Sequence, residues 1–187
     1  QNYIALFLLV STLNTNIVGQ ISLHGQGTPA MNTSAGYSGT GSHYDVHYAK
    51  MALRVSPDSA LYLKGSVQTN FLTIQSNVTS ISFDLNSVFI IDSVYYEESK
   101  LPSGNITRTG NILNIALGTS LPLNTYDSVR IYYRGVPPYY GGPEGFRKLT
   151  ANTYNYMMSV AESYEDRDWW PCKADMQDKI DTMEFKI

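Results

Sequence analysis

From Met51 to Tyr133 the chain is written largely in a two-residue period. Met51, Leu53 and Val55 alternate with Ala52 and Arg54, and Ser80-Ile-Ser-Phe-Asp-Leu85 and Ser128-Val-Arg-Ile-Tyr-Tyr133 repeat the pattern. Side chains two residues apart share a face only in extended backbone, so the period predicts half-buried β-strands. Further strands are predicted over Leu61–Ile74, Val88–Ile91, Val94–Tyr96 and Ile112–Leu117. Ser56-Pro-Asp-Ser59 and Leu101-Pro-Ser-Gly-Asn105 carry turn chemistry, and Leu121–Tyr126 reads as a connection. Gly65 interrupts the second strand at a place where a bulge would re-aim it. No stretch of twelve residues has a helical period. Short strands divided by Gly, Pro, Asn and Ser imply an all-β domain, an antiparallel β-sandwich or curved sheet. Fifteen tyrosines in a chain with only 16% charged residues suit strands with a polar outer face.

A chain of 187 residues has room for one domain, or one domain and a tail. Ile4-Ala-Leu-Phe-Leu-Leu-Val10 is an apolar run too short to span a bilayer as a helix. It matches the core of a secretory signal peptide, with small residues following near Val18-Gly19, although no Met and no basic residue precedes it. Residues 1–19 are therefore read as part of a signal peptide, which makes the expected mature protein exported. Residues 20–42 are rich in Gly, Ser, Thr and Asn and are expected to be a flexible linker, with order beginning near Tyr44 and the domain occupying residues 43–187. Gly135-Val-Pro-Pro-Tyr-Tyr-Gly-Gly-Pro143 is a loop by composition, and Tyr154–Val160 is a candidate strand after it. Met183-Glu-Phe-Lys-Ile187 alternates to the last residue, as a strand of a longer chain would.

The net charge of −3 provides no basic field for nucleic acid. His43 and His47 have the spacing of a helical zinc motif, but a strand would separate them by roughly 13 Å, and the Glu of H-E-x-x-H is absent. His24 lies in the linker without a partner. There is no G-x-S-x-G, and Gly141-Gly-Pro-Glu-Gly145 lacks the frame of a phosphate loop and reads as a turn. Cys172, the lone cysteine, forms no intrachain disulfide and reads as a buried structural thiol, although Lys173 beside it offers mild thiolate stabilisation. The remaining candidate is an acidic-aromatic segment in which Glu162, Glu165, Asp166 and Asp168 stand near Arg167, Trp169 and Trp170. Paired carboxylates there offer acid-base chemistry. The plainer reading is a solvated loop stapled by the tryptophans, its acids exposed or paired with Arg167 and Lys173.

In order along the chain, Tyr44-Asp-Val with Leu53-Arg-Val55, Gly65-Ser-Val-Gln-Thr, Phe83-Asp-Leu85 followed by Val94, and Ile131-Tyr-Tyr-Arg-Gly135 resemble short motifs of one family. Trp169-Trp-Pro-Cys-Lys173 with Asp178-Lys179 resembles its W-W-P-C-K-D … D-K segment, in the form of bacterial members. The family is that of the gluzincin zinc aminopeptidases, the aminopeptidase N and leukotriene-A hydrolase group, and residues 44–187 resemble its N-terminal domain. The resemblance implies a saddle-shaped β domain capping a separate thermolysin-like domain. The zinc ligands, H-E-x-x-H and a distal Glu, would lie beyond Ile187, and the fragment would be inactive alone. It also implies one contribution to peptide binding: a Gln or Glu nine residues before the Pro of P-C, which is Glu162 here, pairing with the substrate's α-ammonium. Arg167 and Lys179 match positions with a structural role, while Ala174 and Met176 depart from the family's Asp and Pro. Tyr139, Tyr140 and the two tryptophans are candidates for the surface that the catalytic domain would cover. Two other readings remain open: a stand-alone exported β-sandwich module whose tyrosines stack on sugars or peptides, and a noncatalytic scaffold of the same descent.

Overall fold

The computed structural model describes residues 18–22, 40–56, 62–140, 145–161, 165–175 and 178–187. Its strands are β1 (Val18–Ser22), β2 (Tyr44–Arg54), β3 (Leu63–Thr73), β4 (Val78–Asp84), β5 (Ile90–Tyr96), β6 (Ser99–Lys100), β7 (Ile106–Thr109), β8 (Ile112–Leu121), β9 (Tyr126–Gly135), β10 (Gly145–Ala151), β11 (Tyr154–Val160) and β12 (Thr182–Lys186). The only helices among the described residues are two single 3-10 turns, Ser103–Asn105 and Asp166–Asp168. None is long and apolar enough to cross a membrane.

The strands make three open sheets, and the all-β architecture follows the two-residue period. A seven-stranded sheet has the order β1-β12-β2-β3-β9-β5-β6, a three-stranded sheet the order β4-β8-β7, and β10-β11 is a separate hairpin. Pairing is antiparallel except between β12 and β2, which run parallel. The architecture is the expected antiparallel one, with a single parallel pair where the last strand returns beside β2. Residues 20–22, assigned to a linker by composition, pair with β12 as part of β1. The rest of that linker through residue 39, residues 1–17 with the whole apolar run 4–10 of the expected signal peptide, the Ser56 turn beyond residue 56 and residues 141–144 lie outside the described residues.

Bulges keep the inward faces apolar. Val46 pairs with Phe71 and Tyr48 with Asn70, leaving His47 as an extra residue in β2. Tyr44 and Val46 are buried before it, and Ala49, Met51 and Leu53 after it. One inserted residue moves the buried set from even to odd positions, so both halves of β2 face the core. Gly65, by contrast, is not at a bulge. It pairs in register with Leu53 and Tyr133, and a side chain there would meet the backbone of β2.

Two apolar clusters fill the interior. One lies between the seven- and three-stranded sheets and contains Tyr44, Phe71, Ile81, Phe83, Ile115 and Ile131. The other gathers Met51, Leu63, Val67, Phe89, Tyr133, Phe146, Trp169 and Trp170. β10 was not anticipated: Gly145–Ala151 pairs with β11 across a turn at Asn152 and Thr153, both with positive φ (49° and 73°). Thr at a left-handed position is not a recognisable hairpin signal.

Candidate functional site

Residues 165–175, with Asp178, form a strap fastened to both sheets. Asp166–Asp168 forms one 3-10 turn, after which Trp169 and Trp170 enter the second cluster. The Tyr133 hydroxyl donates to the Trp169 carbonyl at 2.8 Å, and Phe146 packs on the Trp169 ring. Both indoles are more than nine-tenths buried, which corrects the expectation that they form part of an exposed interface. Tyr139 and Tyr140 are exposed, at 63% and 76%.

Cys172 lies where the strap crosses the end of β4. Its N–H donates to the Asp84 carbonyl at 3.0 Å, and Asp84 N–H returns to the Cys172 carbonyl at 2.7 Å. The Asp84 carboxylate accepts from Ala174 N–H at 3.1 Å and from the Thr40 hydroxyl at 2.5 Å. Burial pushes the Cys172 thiol well above its ordinary pKa, and Asp166 and Asp84 add to the effect. The neighbouring Lys173 does not make it a thiolate, so Cys172 is an inert packing residue.

Asn86 is the second fastening. Its N–H donates to the Arg167 carbonyl at 2.7 Å, and its side-chain amide donates to Asp168 at 2.7 Å and to the Tyr140 hydroxyl at 3.2 Å. Asp168 is therefore buried and bonded rather than solvated. Asp166 takes a long bond of 3.5 Å from the Trp170 indole, and burial raises its carboxyl pKa against that donor. The third fastening is Lys173, which donates to the Tyr44 carbonyl at 2.5 Å and pairs with Asp178. Asp178 in turn accepts the Val46 N–H, the donor beside the β2 bulge, at 3.3 Å. The expected pairing role within this segment thus falls to Asp178 with Lys173, while Lys179 is exposed. Asp84 and Asn86 were missed as fastenings. Phe83-Asp-Leu85 was visible as a motif, but nothing local reveals partners some eighty positions away.

No protein-family model matches the chain, and no curated protein does. Among solved structures, the chain is similar to an M1 zinc metallopeptidase from Deinococcus radiodurans, with a TM-score of 0.65 and 18% identity over 79% of this chain and 32% of that one. A two-domain M1 zinc metallopeptidase mutant bound to L-arginine gives 0.64 and 18% over 78% and 32%. A Deinococcus radiodurans mutant bound to a Tyr-Ser-Ala substrate gives 0.61 and 19% over 78% and 32%. The fold is that of part of the M1 zinc metallopeptidases. The chain spans about a third of the length of these structures, at 32%.

Within this M1 fold the strap carries the residues singled out by the sequence. Glu162 lies outside the described residues, three positions before Glu165, where the strap is first described. The described residues do not fit zinc: no group of three or more His, Cys, Asp or Glu is placed to hold a metal. His43 Nε2 lies 2.8 Å from the Ser80 carbonyl, and His47 Nδ1 lies 2.7 Å from Asp181, so the two rings are committed to different partners.

Proposed function

We propose that this chain is the N-terminal β domain of an exported zinc aminopeptidase, covering the active site of a catalytic domain in the same longer polypeptide. What carries the reading is that the sequence motifs and the fold point to the same family. Trp169-Trp-Pro-Cys-Lys173 and Asp178, the most specific of the resembling motifs, form a strap on a fold shared with M1 zinc metallopeptidases at a TM-score of 0.65. The zinc of such an enzyme would be held outside this chain, and the chain alone is expected to hydrolyse no peptide.

In this reading Glu162 binds the free amino end of the peptide. A carboxylate satisfies an α-ammonium by a charge-assisted hydrogen bond, which an internal or acetylated amide cannot offer. What supports it is that the segment following Glu162, described from Glu165 on, is bonded to Asp84, Asn86 and Tyr44. Tyr139 and Tyr140, both exposed and the latter bonded by Asn86, supply apolar surface for the catalytic domain.

The test is to express the open reading frame that contains this chain and continues past Ile187. An H-E-x-x-H with a distal Glu must follow, and the product must release amino-terminal residues. Glu162→Ala should then reduce kcat/KM on peptides with a free amino end by on the order of 2–4 kcal/mol. Unchanged kinetics would remove Glu162 from the site, and a frame without the zinc motif would overturn the enzyme reading.

A further inference from the structure

At one end of the seven-stranded sheet the terminal strand β6 covers only part of its neighbour β5 among the described residues. β9 pairs with β5 along one side, from Ile90 to Tyr96. On the other side β6 has two residues and pairs only with Tyr95 and Tyr96. Leu101 N–H then closes on the Val94 carbonyl at 2.9 Å, after which the chain turns away through Ser103–Asn105. At the far end Arg108 Nη1 donates to the Phe89 carbonyl at 2.6 Å. Among the described residues no strand and no backbone hydrogen bond reaches Ile90–Ser93 from that side.

An open cleft of about 640 Å³ borders this uncovered stretch. Ile91, Leu101, Pro102 and Ile106 give it apolar walls, and Lys100 stands at its rim. Ile91, Leu101 and Ile106 are packed on the cluster between the two sheets, so an apolar side chain entering here would extend existing packing. Asp92 also lines the cleft, but its carboxylate is taken by Arg134. Lys100 has no ion pair among the described residues, which leaves the uncompensated charge of the cleft positive.

We propose that the free edge of β5 binds an extended peptide by strand addition, with one apolar side chain entering between the sheets and a carboxylate meeting Lys100. Four residues of β5 offer about 13 Å of edge, enough for a short strand. In this mode main-chain hydrogen bonds supply affinity, and the cleft beside every second side chain supplies specificity. Open edges are commonly guarded by a bulge or a charge. The bulge at Asp92 is present, but its charge is withdrawn to Arg134, and Ile90 beside it is exposed. The cleft shares no residue with the strap, so this inference stands or falls separately from the aminopeptidase reading.

The experiment is to titrate the ¹⁵N-labelled chain with the blocked peptide Ac-Thr-Val-Glu-Val-Thr-NH₂. The expected result is amide shifts confined to residues 90–93 and the neighbourhood of Lys100. Binding should weaken at least tenfold with Glu replaced by Lys in the peptide, or with Lys100→Glu in the protein, and should recover when both are changed. Lys100 is exposed, so its substitution leaves the fold intact. N-methylation of the peptide backbone should abolish binding. Equal binding of the methylated peptide, shifts elsewhere, or no shift at millimolar peptide would overturn the proposal. Dimerisation through the same amides without peptide would also overturn it, assigning the edge to a second copy.

Discussion

Gly65 illustrates what a single residue decides in this fold. A Cβ built there would lie 2.1 Å from the Ala52 carbonyl oxygen and 2.9 Å from the Leu53 Cα, both backbone atoms of the paired strand β2. Backbone in the middle of a sheet cannot yield as the end of a flexible side chain can. Gly65→Ala should therefore destabilise the chain by about 3 kcal/mol, read as a lower urea midpoint. Gly104→Ala is the matched control, because nothing lies within 4 Å of its Cβ, and it should stay within about 0.5 kcal/mol of the parent. Equal effects at the two sites would refute the close-approach argument. The sequence marks Gly65 as unusual within an alternating strand, but it cannot distinguish a bulge from a close approach. The bulge in β2 falls at His47 instead, a residue with nothing glycine-like about it.

At the scale of elements, legibility followed the range of the interactions. Strands β3, β4, β8 and β9 are visible because their alternation is local and each buries one face. β1, the parallel pairing of β12 and the β10 strand were not visible, since each depends on a partner or turn that the local pattern does not encode. The strap was recognised by its residues, but its geometry was not. Its Lys173–Asp178 fastening also makes a prediction about pH. Burial raises the Asp178 carboxyl to about 6, with Asp45 reinforcing the rise and Lys173 opposing it. A carboxyl whose folded pKa lies above its unfolded value near 3.9 takes up its proton more readily in the folded state. Its contribution to stability is full below the unfolded value and is lost as pH rises through about 6. Urea midpoints of the parent should fall between pH 5 and pH 7 relative to those of Asp178→Asn, which keeps an acceptor for the Val46 N–H. Parallel pH profiles for the two proteins would show that Asp178 titrates as an ordinary surface acid.

For the whole molecule, the question is whether two core clusters make two folding units. The seven-stranded sheet argues against it, because three of its strands enter both clusters. β2 places Tyr44 and Val46 in the first and Met51 and Leu53 in the second; β3 divides Phe71 from Leu63 and Val67; β9 divides Ile131 from Tyr133. Melting either cluster would strip one end of each strand while leaving the other end paired, exposing apolar surface across the cut. The strap adds a second bond between the halves, since Cys172 and Trp170 pack in the second cluster while Lys173 holds the Tyr44 carbonyl at the first. Unfolding should then be a single transition. The two tryptophans offer a local reporter, because both lie in the second cluster, whereas Ile115 is fully buried in the first. Ile115→Ala should cost about 3 kcal/mol and lower the urea midpoint seen by tryptophan fluorescence as much as that seen by far-ultraviolet circular dichroism. A fluorescence transition left in place while the dichroism shifts would mean that the clusters melt independently. The strap, with any site it presents, would then be held by the second half alone.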